Sequence, residues 1–151
     1  ELPMPTETHQ RILGNLYRLV FESVARHGGV VVFSAFKMRV GEGRFREPDL
    51  LALVDSTDAR RGDDFWTGAD LVVEIVSPGN ADHDLVTKRA EYAAAGIAEY
   101  WIVDPEAASV LVLALDAGGY VEHGRFTPGQ TLTSPLLPGF ELAMDDVFAA
   151  G

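Results

Sequence analysis

The chain has 151 residues, 47% of them apolar and 23% charged. That is one domain's worth of sequence with ample material for a core, and it excludes a disordered or collagen-like chain. Its net charge is −11, which on average repels nucleic acid. No segment approaches the ~18 consecutive apolar residues of a membrane-crossing helix, and the start, Glu1-Leu2-Pro3-Met4-Pro5, does not read as a signal peptide. The lack of cysteine excludes disulfides, thiol catalysis and thiolate metal sites, and fits a cytoplasmic protein. Any metal must be held by oxygen or imidazole.

The charge is unevenly spread. Residues 1–61 hold nine basic and eight acidic residues, a balance of +1, whereas residues 62–151 hold three and fifteen, a balance of −12. A polyanion is therefore expected to meet the first part, where Lys37, Arg39, Arg44, Arg46, Arg60 and Arg61 form the only basic concentration, although solvated surface charge also explains such a group.

In chain order, Ile12, Leu13, Leu16, Leu19, Val20 and Val24 recur at helical spacing, predicting an amphipathic helix over Thr8 to His27 that Gly28-Gly29 stops. Val30 to Val40 is β-branched and aromatic. A turn at Gly41-Glu42-Gly43 then leads through Phe45 to a strand over Asp49 to Val54, a pattern that looks like a meander. Asp55 to Ala69 is polar and reads as a loop, the best candidate for a mobile segment, with Phe65 and Trp66 returning it to the core.

Asp70 to Val76 is strongly strand-like and ends at Ser77-Pro78-Gly79-Asn80. A helix from about Asp82 to Ala95 follows, capped by Asn80 or Asp82 and closed by Gly96. Glu99 to Val103, Val110 to Leu115 and Tyr120 to Phe126 are strands, and a largely extended tail runs to a short helix near Met144 to Ala149. The sum is a single mixed α/β domain spanning residues 1–151 around one central sheet.

Glu74 is the sharpest anomaly, because both faces of the strand around it are otherwise apolar. A carboxylate there is costly unless it is paired, protonated or bound to a cation. A structural ion pair or a strand end that reaches water is the alternative. Asp49 begins another apolar strand, and two adjacent strands can bring such carboxylates to one sheet end, where hard oxygens bind Mg²⁺ or Mn²⁺. Glu47 is the substitute ligand if Asp49 points away.

Lys88 is read two ways: as the partner of Asp84 in an exposed pair worth ~0.2–0.5 kcal/mol, or as a cation reaching back over the sheet end to Glu74 and neutralising a phosphorane-like transition state. His9, His27, His83 and His123 lack zinc-site spacing, and only His83 lies near the proposed site in sequence. No P-loop or dinucleotide-binding glycine turn occurs, and Ser34, Ser56 and Ser77 lack a nucleophile context.

Glu47-Pro48-Asp49, then Asp70 to Pro78, then Asp84-x-x-x-Lys88-x-x-x-Tyr92, then Ala95-Gly96-Ile97-x-Glu99 to Pro105, resembles the Uma-two family of restriction-endonuclease-like domains in the PD-(D/E)XK nuclease superfamily. The resemblance runs through the tail at Leu136-Leu137-Pro138-Gly139-Phe140. It implies a restriction-endonuclease-like α/β core, a central mixed sheet flanked by helices with an additional C-terminal antiparallel hairpin, and a divalent metal. Asp49 and Glu74 match the family's acids and would be metal ligands. The superfamily pattern puts lysine two positions after the second acid, where this chain has Val76; Lys88 would replace it from the following helix. An assisting acid from the first helix would be Glu22.

These readings converge on a Mg²⁺- or Mn²⁺-dependent endonuclease in which Asp49, Glu74 and Lys88 act on DNA that approaches over Lys37, Arg39, Arg44 and Arg46. A homodimer would suit cutting both strands of a symmetric target, and RNA or another phosphodiester would use the same site. The alternative is a catalytically inactive nuclease-fold protein acting as a binding or assembly module, favoured by the −12 balance and the displaced lysine.

Overall fold

Ile12, Leu13, Leu16, Val20 and Val24 form the buried stripe of helix α1 (Glu7–Arg26) in the computed structural model, which describes residues 5–77 and 82–150, without the side chains of residues 82–84. Thr6 caps it by accepting a hydrogen bond from the His9 backbone N–H at 3.1 Å, which fixes the first turn. Gly28, at φ +89°, ends it, and a Cβ at Gly29 would lie 2.6 Å from the Leu53 carbonyl oxygen. Glycine is therefore required where the chain turns under the sheet.

The next segment departs from the expected meander. β1 (Val30–Phe33) does not pair with β2 (Lys37–Gly41); it pairs antiparallel with β4 (Leu50–Leu53), while β2 forms a separate three-stranded sheet with β3 (Arg44–Arg46) and β5 (Phe65–Trp66). The burial patterns give the reason. β4 is buried along its whole length and belongs inside a sheet covered on both sides, whereas β2 alternates exposed Lys37 and Arg39 with buried Met38 and Val40.

The central sheet is completed by β6 (Leu71–Ile75), β7 (Glu99–Asp104), β8 (Ser109–Asp116) and β9 (Gly119–Phe126), in the order β1-β4-β6-β7-β8-β9. β6 and β7 are parallel, joined through helix α2 (Asp82–Ala94), and the other neighbours are antiparallel. A hairpin of β10 (Thr131–Thr133) and β11 (Glu141–Ala143) follows, then the short helix α3 (Met144–Val147). The mixed α/β class with a C-terminal antiparallel hairpin is thus present.

Alternation along β6 and β7 separates two cores. Leu71, Val73, Ile75 and Trp101 pack with α1, α3 and the C-terminal hairpin, whereas Val72 and Tyr100 pack with Tyr92, Ile97, Met38 and Trp66. The sheet is covered on both faces, so a polar group inside it is costly unless paired.

The loop before β6 is cross-braced. Arg60 bonds Asp58 and Asp70 and reaches the Ala69 carbonyl, while Asp55 accepts from the Thr57 N–H and hydroxyl. The turn expected at Pro78-Gly79-Asn80, the Asn80 or Asp82 cap, the His83 side chain and an Asp84–Lys88 pair lie outside the described residues. Among the described residues no helix is long and apolar enough to cross a membrane.

Candidate active site

β4 and β6 pair antiparallel with Leu50 opposite Val73, so one further step puts Asp49, at the entry to β4, level with Glu74. The carboxylate of Asp49 accepts the Ile75 backbone N–H at 2.7 Å on Oδ2 and stands 3.1 Å from His9 Nε2 on Oδ1. Its rotamer is thereby held from β6 and from the first turn of α1. Hydrogen bonding to Asp49 is the main reason the His9 pKa lies above its ordinary value, against the opposing effect of partial burial. The other ring nitrogen, Nδ1, is buried with no hydrogen-bond partner among the described residues.

Glu74 is 6% exposed. Its Oε2 accepts the Tyr92 hydroxyl at 2.6 Å and lies 3.4 Å from Lys88 Nζ. Lys88 and Tyr92 are four apart on α2, so one helical face delivers both donors over the sheet. Burial raises the Glu74 pKa to about 7; the Lys88 charge opposes this and the Asp49 charge adds to it. Burial, reinforced by the same carboxylate, pushes the Tyr92 phenol well above its ordinary range and keeps it a donor.

This end of the sheet gathers two carboxylates, an ammonium, a phenol and an imidazole. Two carboxylates are the donor set by which proteins commonly hold Mg²⁺ or Mn²⁺, with water and substrate phosphate completing the shell. The influence of Asp49 on Glu74 puts them within electrostatic reach of one another. Among the described residues there is no ready-made group of three or more His, Asp or Glu side chains disposed around a metal position, so the fit to a cation is that of a two-carboxylate site.

A family model described as Uma2, putative restriction endonuclease, matches residues 1–145. The chain belongs to the Uma2 family. Among solved structures, this Uma2 chain is similar to a putative nuclease belonging to DUF820 from Anabaena variabilis, with a TM-score of 0.78 at 18% identity over 97% of this chain and 83% of that one. At that identity the likeness speaks for the fold alone. No functionally curated protein matches the chain.

The remaining sequence candidates scatter over the Uma2 fold. Glu22 is no part of this end of the sheet: it lies thirteen residues beyond His9 on α1, ~20 Å along the axis, exposed and paired with Arg26 at 2.8 Å. Glu47 is exposed beside Asp49. Of the basic group, Arg44 and Arg46 both reach Glu91 of α2, at 3.5 Å for Arg44. Lys37 sits over the Phe45 ring, and Arg39 is exposed on the same face. Arg60 is committed to its two aspartates, and Arg61 to the Ser56 carbonyl.

The first helix does contribute to the site, but through His9. No spacing rule singles out a lone histidine, and its only signal is positional: it follows the cap of the helix that packs on β1 and β4. Tyr92 carries its own weak signal, a polar ring at helical spacing from Lys88.

Proposed function

We propose that the chain is a metal-dependent endonuclease that hydrolyses phosphodiester bonds in DNA, with Asp49, Glu74 and Lys88 as its catalytic groups. The observation that carries this reading is the pairing of like charges at Glu74. Each carboxylate has its own basic neighbour, Lys88 for Glu74 and His9 for Asp49, yet the two stand level on adjacent strands and the Asp49 charge still raises the Glu74 pKa. Such an arrangement costs stability and is characteristic of a site that receives a cation.

Asp49 and Glu74 would hold Mg²⁺ or Mn²⁺, which when bound supplies Lewis acidity and a water activated at neutral pH. The protein's own groups then have separate tasks. The Ile75 N–H and His9 orient Asp49 from two sides, and the Tyr92 hydroxyl orients Glu74. Lys88 places a positive charge at the sheet end, where it neutralises charge that develops on the phosphoryl oxygens.

The test is nicking of supercoiled plasmid at low salt with Mg²⁺ and then Mn²⁺, for wild type, Glu74→Ala and Lys88→Ala purified in parallel. The expected result is cleavage by wild type that each substitution lowers by about a hundredfold or more; cleavage undiminished in Glu74→Ala overturns the assignment. One observation favours a second reading, a catalytically inactive fold acting as a binding or assembly module: Tyr92 and Lys88 already engage Glu74. Wild type that neither cleaves nor binds Mn²⁺ would select it.

A further inference from the structure

Residues 62–151 carry only three basic residues, Lys88, Arg89 and Arg125, against fifteen acids, and the fold brings all three to one side of the sheet. Lys88 stands at Glu74 and Arg89 follows it on α2. Arg125 arrives from β9 by register: Glu74 pairs with Ile102, Ile102 with Leu111, and Leu111 with Arg125. Cross-strand partners share a face, so these four residues form one row, with Arg125 three strand spacings, ~14 Å, from Glu74.

Between α2 and this row lies a groove of about 270 Å³. Leu85, Val86, Ile102 and Leu111 make its apolar wall and floor, with Arg89 and Arg125 lining it. Asp104 also lines it, but its Oδ1 accepts from the Glu106 and Ala107 N–H groups. Both arginines are exposed, and neither has a hydrogen bond or ion pair among the described residues. The basic residues of the first part of the chain differ: Arg44 and Arg46 are bound to Glu91, and Arg60 to Asp58 and Asp70. Two guanidinium groups with no partner among the described residues, in an otherwise acidic region and aligned with the Glu74–Lys88 pair, are complementary to a polyanion that continues outward from that pair.

We propose that this groove carries the phosphate backbone of the DNA strand flanking the bond at Glu74, with Arg89 and Arg125 each contacting phosphate oxygens and Leu85, Ile102 and Leu111 lying under the sugars. This inference rests on the nuclease reading above. It sends the strand across the α2 side of β7, β8 and β9 rather than over β2 and β3.

The experiment is fluorescence anisotropy of a labelled DNA duplex in EDTA across a salt series, using wild type, Arg89→Gln, Arg125→Gln, the double variant and Arg39→Gln. Both groove arginines are exposed, and thermal melting verifies that the variants are folded. Each groove substitution is expected to weaken binding about five- to tenfold and to flatten the slope of log K against log salt by about 1, the double variant by about 2, with Arg39→Gln unchanged. Unaltered affinity and slope in both groove variants, or a loss confined to Arg39→Gln, overturns the groove. Plasmid nicking by the same preparations separates the two levels: nicking with unaltered groove variants leaves the nuclease reading standing alone. Wild type that neither binds nor nicks removes the nuclease reading and the groove with it.

Discussion

Glu74 and Glu99 are glutamates buried in adjacent parallel strands of one sheet, at 6% and 1% exposure, yet their surroundings are opposite in kind. Glu99, at the start of β7, accepts from the Trp101 indole N–H at 2.7 Å, the Ser134 hydroxyl and the Leu136 backbone N–H at 3.1 Å. These are neutral donors, and they tie the chain leading to the C-terminal hairpin onto the sheet. Glu74, at the other end of β6, faces an ammonium, a second carboxylate and a phenol, and its pKa rises to about 7. Burial of a carboxylate therefore does not distinguish a structural from a chemical group. What differs between the two glutamates is the sign and number of the charges around them, and the proposed catalytic role falls to the one with charged neighbours.

The largest effect expected from this contrast belongs to Glu99. Glu99→Ala leaves three donors without an acceptor in the core, and urea unfolding should show a loss of about 3–5 kcal/mol. Mn²⁺ binding of the folded variant should be unchanged. A variant that keeps its stability but loses Mn²⁺ would erase the distinction between the two glutamates.

The next effects concern the cation. A Glu74 pKa of about 7 means that metal must displace a proton, so Mn²⁺ affinity measured by calorimetry should tighten about tenfold from pH 6 to pH 8 and then level off. A flat profile would mean that Glu74 does not ligate. His9→Ala removes the group that holds Asp49 Oδ1 and should weaken Mn²⁺ binding by about tenfold, as loss of a supporting hydrogen bond around a ligand does. Unchanged affinity would restrict His9 to the packing of α1.

The smallest effect is thermal. Because folding raises the Glu74 pKa, the folded protein retains a proton that the unfolded chain releases above its ordinary value of 4.5. The favourable contribution is complete below that pH and is lost as pH rises through about 7. The raised His9 pKa acts in the same direction, its contribution being full below 6.5 and lost as pH rises through the folded value. Metal-free wild type should therefore melt lower at pH 8 than at pH 5. Glu74→Gln should gain about 3 °C over wild type at pH 8 and nothing at pH 4. A gain of the same size at both pH values would show that charge at Glu74 is not the cause.

The contrast between the glutamates also shows how far the sequence could be read. Glu74 was conspicuous because its strand neighbours are apolar on both sides. Glu99 was not, because it stands at a strand entry where acids are ordinary, and nothing in its local sequence announces Ser134, 35 positions away. The Arg44 and Arg46 pair read as a surface for polyanions, whereas Glu91, 45 positions from Arg46, engages both side chains.

The sequence by itself determined the main elements: the stripe of α1, the two-sided apolar strands β4 and β6, the turn glycines, and the family signature from Asp49 to Pro105. These follow from periodicity and backbone sterics, which act over a few residues. Only the tertiary structure decided that β2 leaves the central sheet, that His9 rather than Glu22 meets Asp49, and that Arg89 and Arg125 flank the groove beside Glu74. Electrostatic and hydrogen-bonded partnerships depend on distances of a few ångströms between segments far apart in the chain. Those distances exist only once the sheet has set its register.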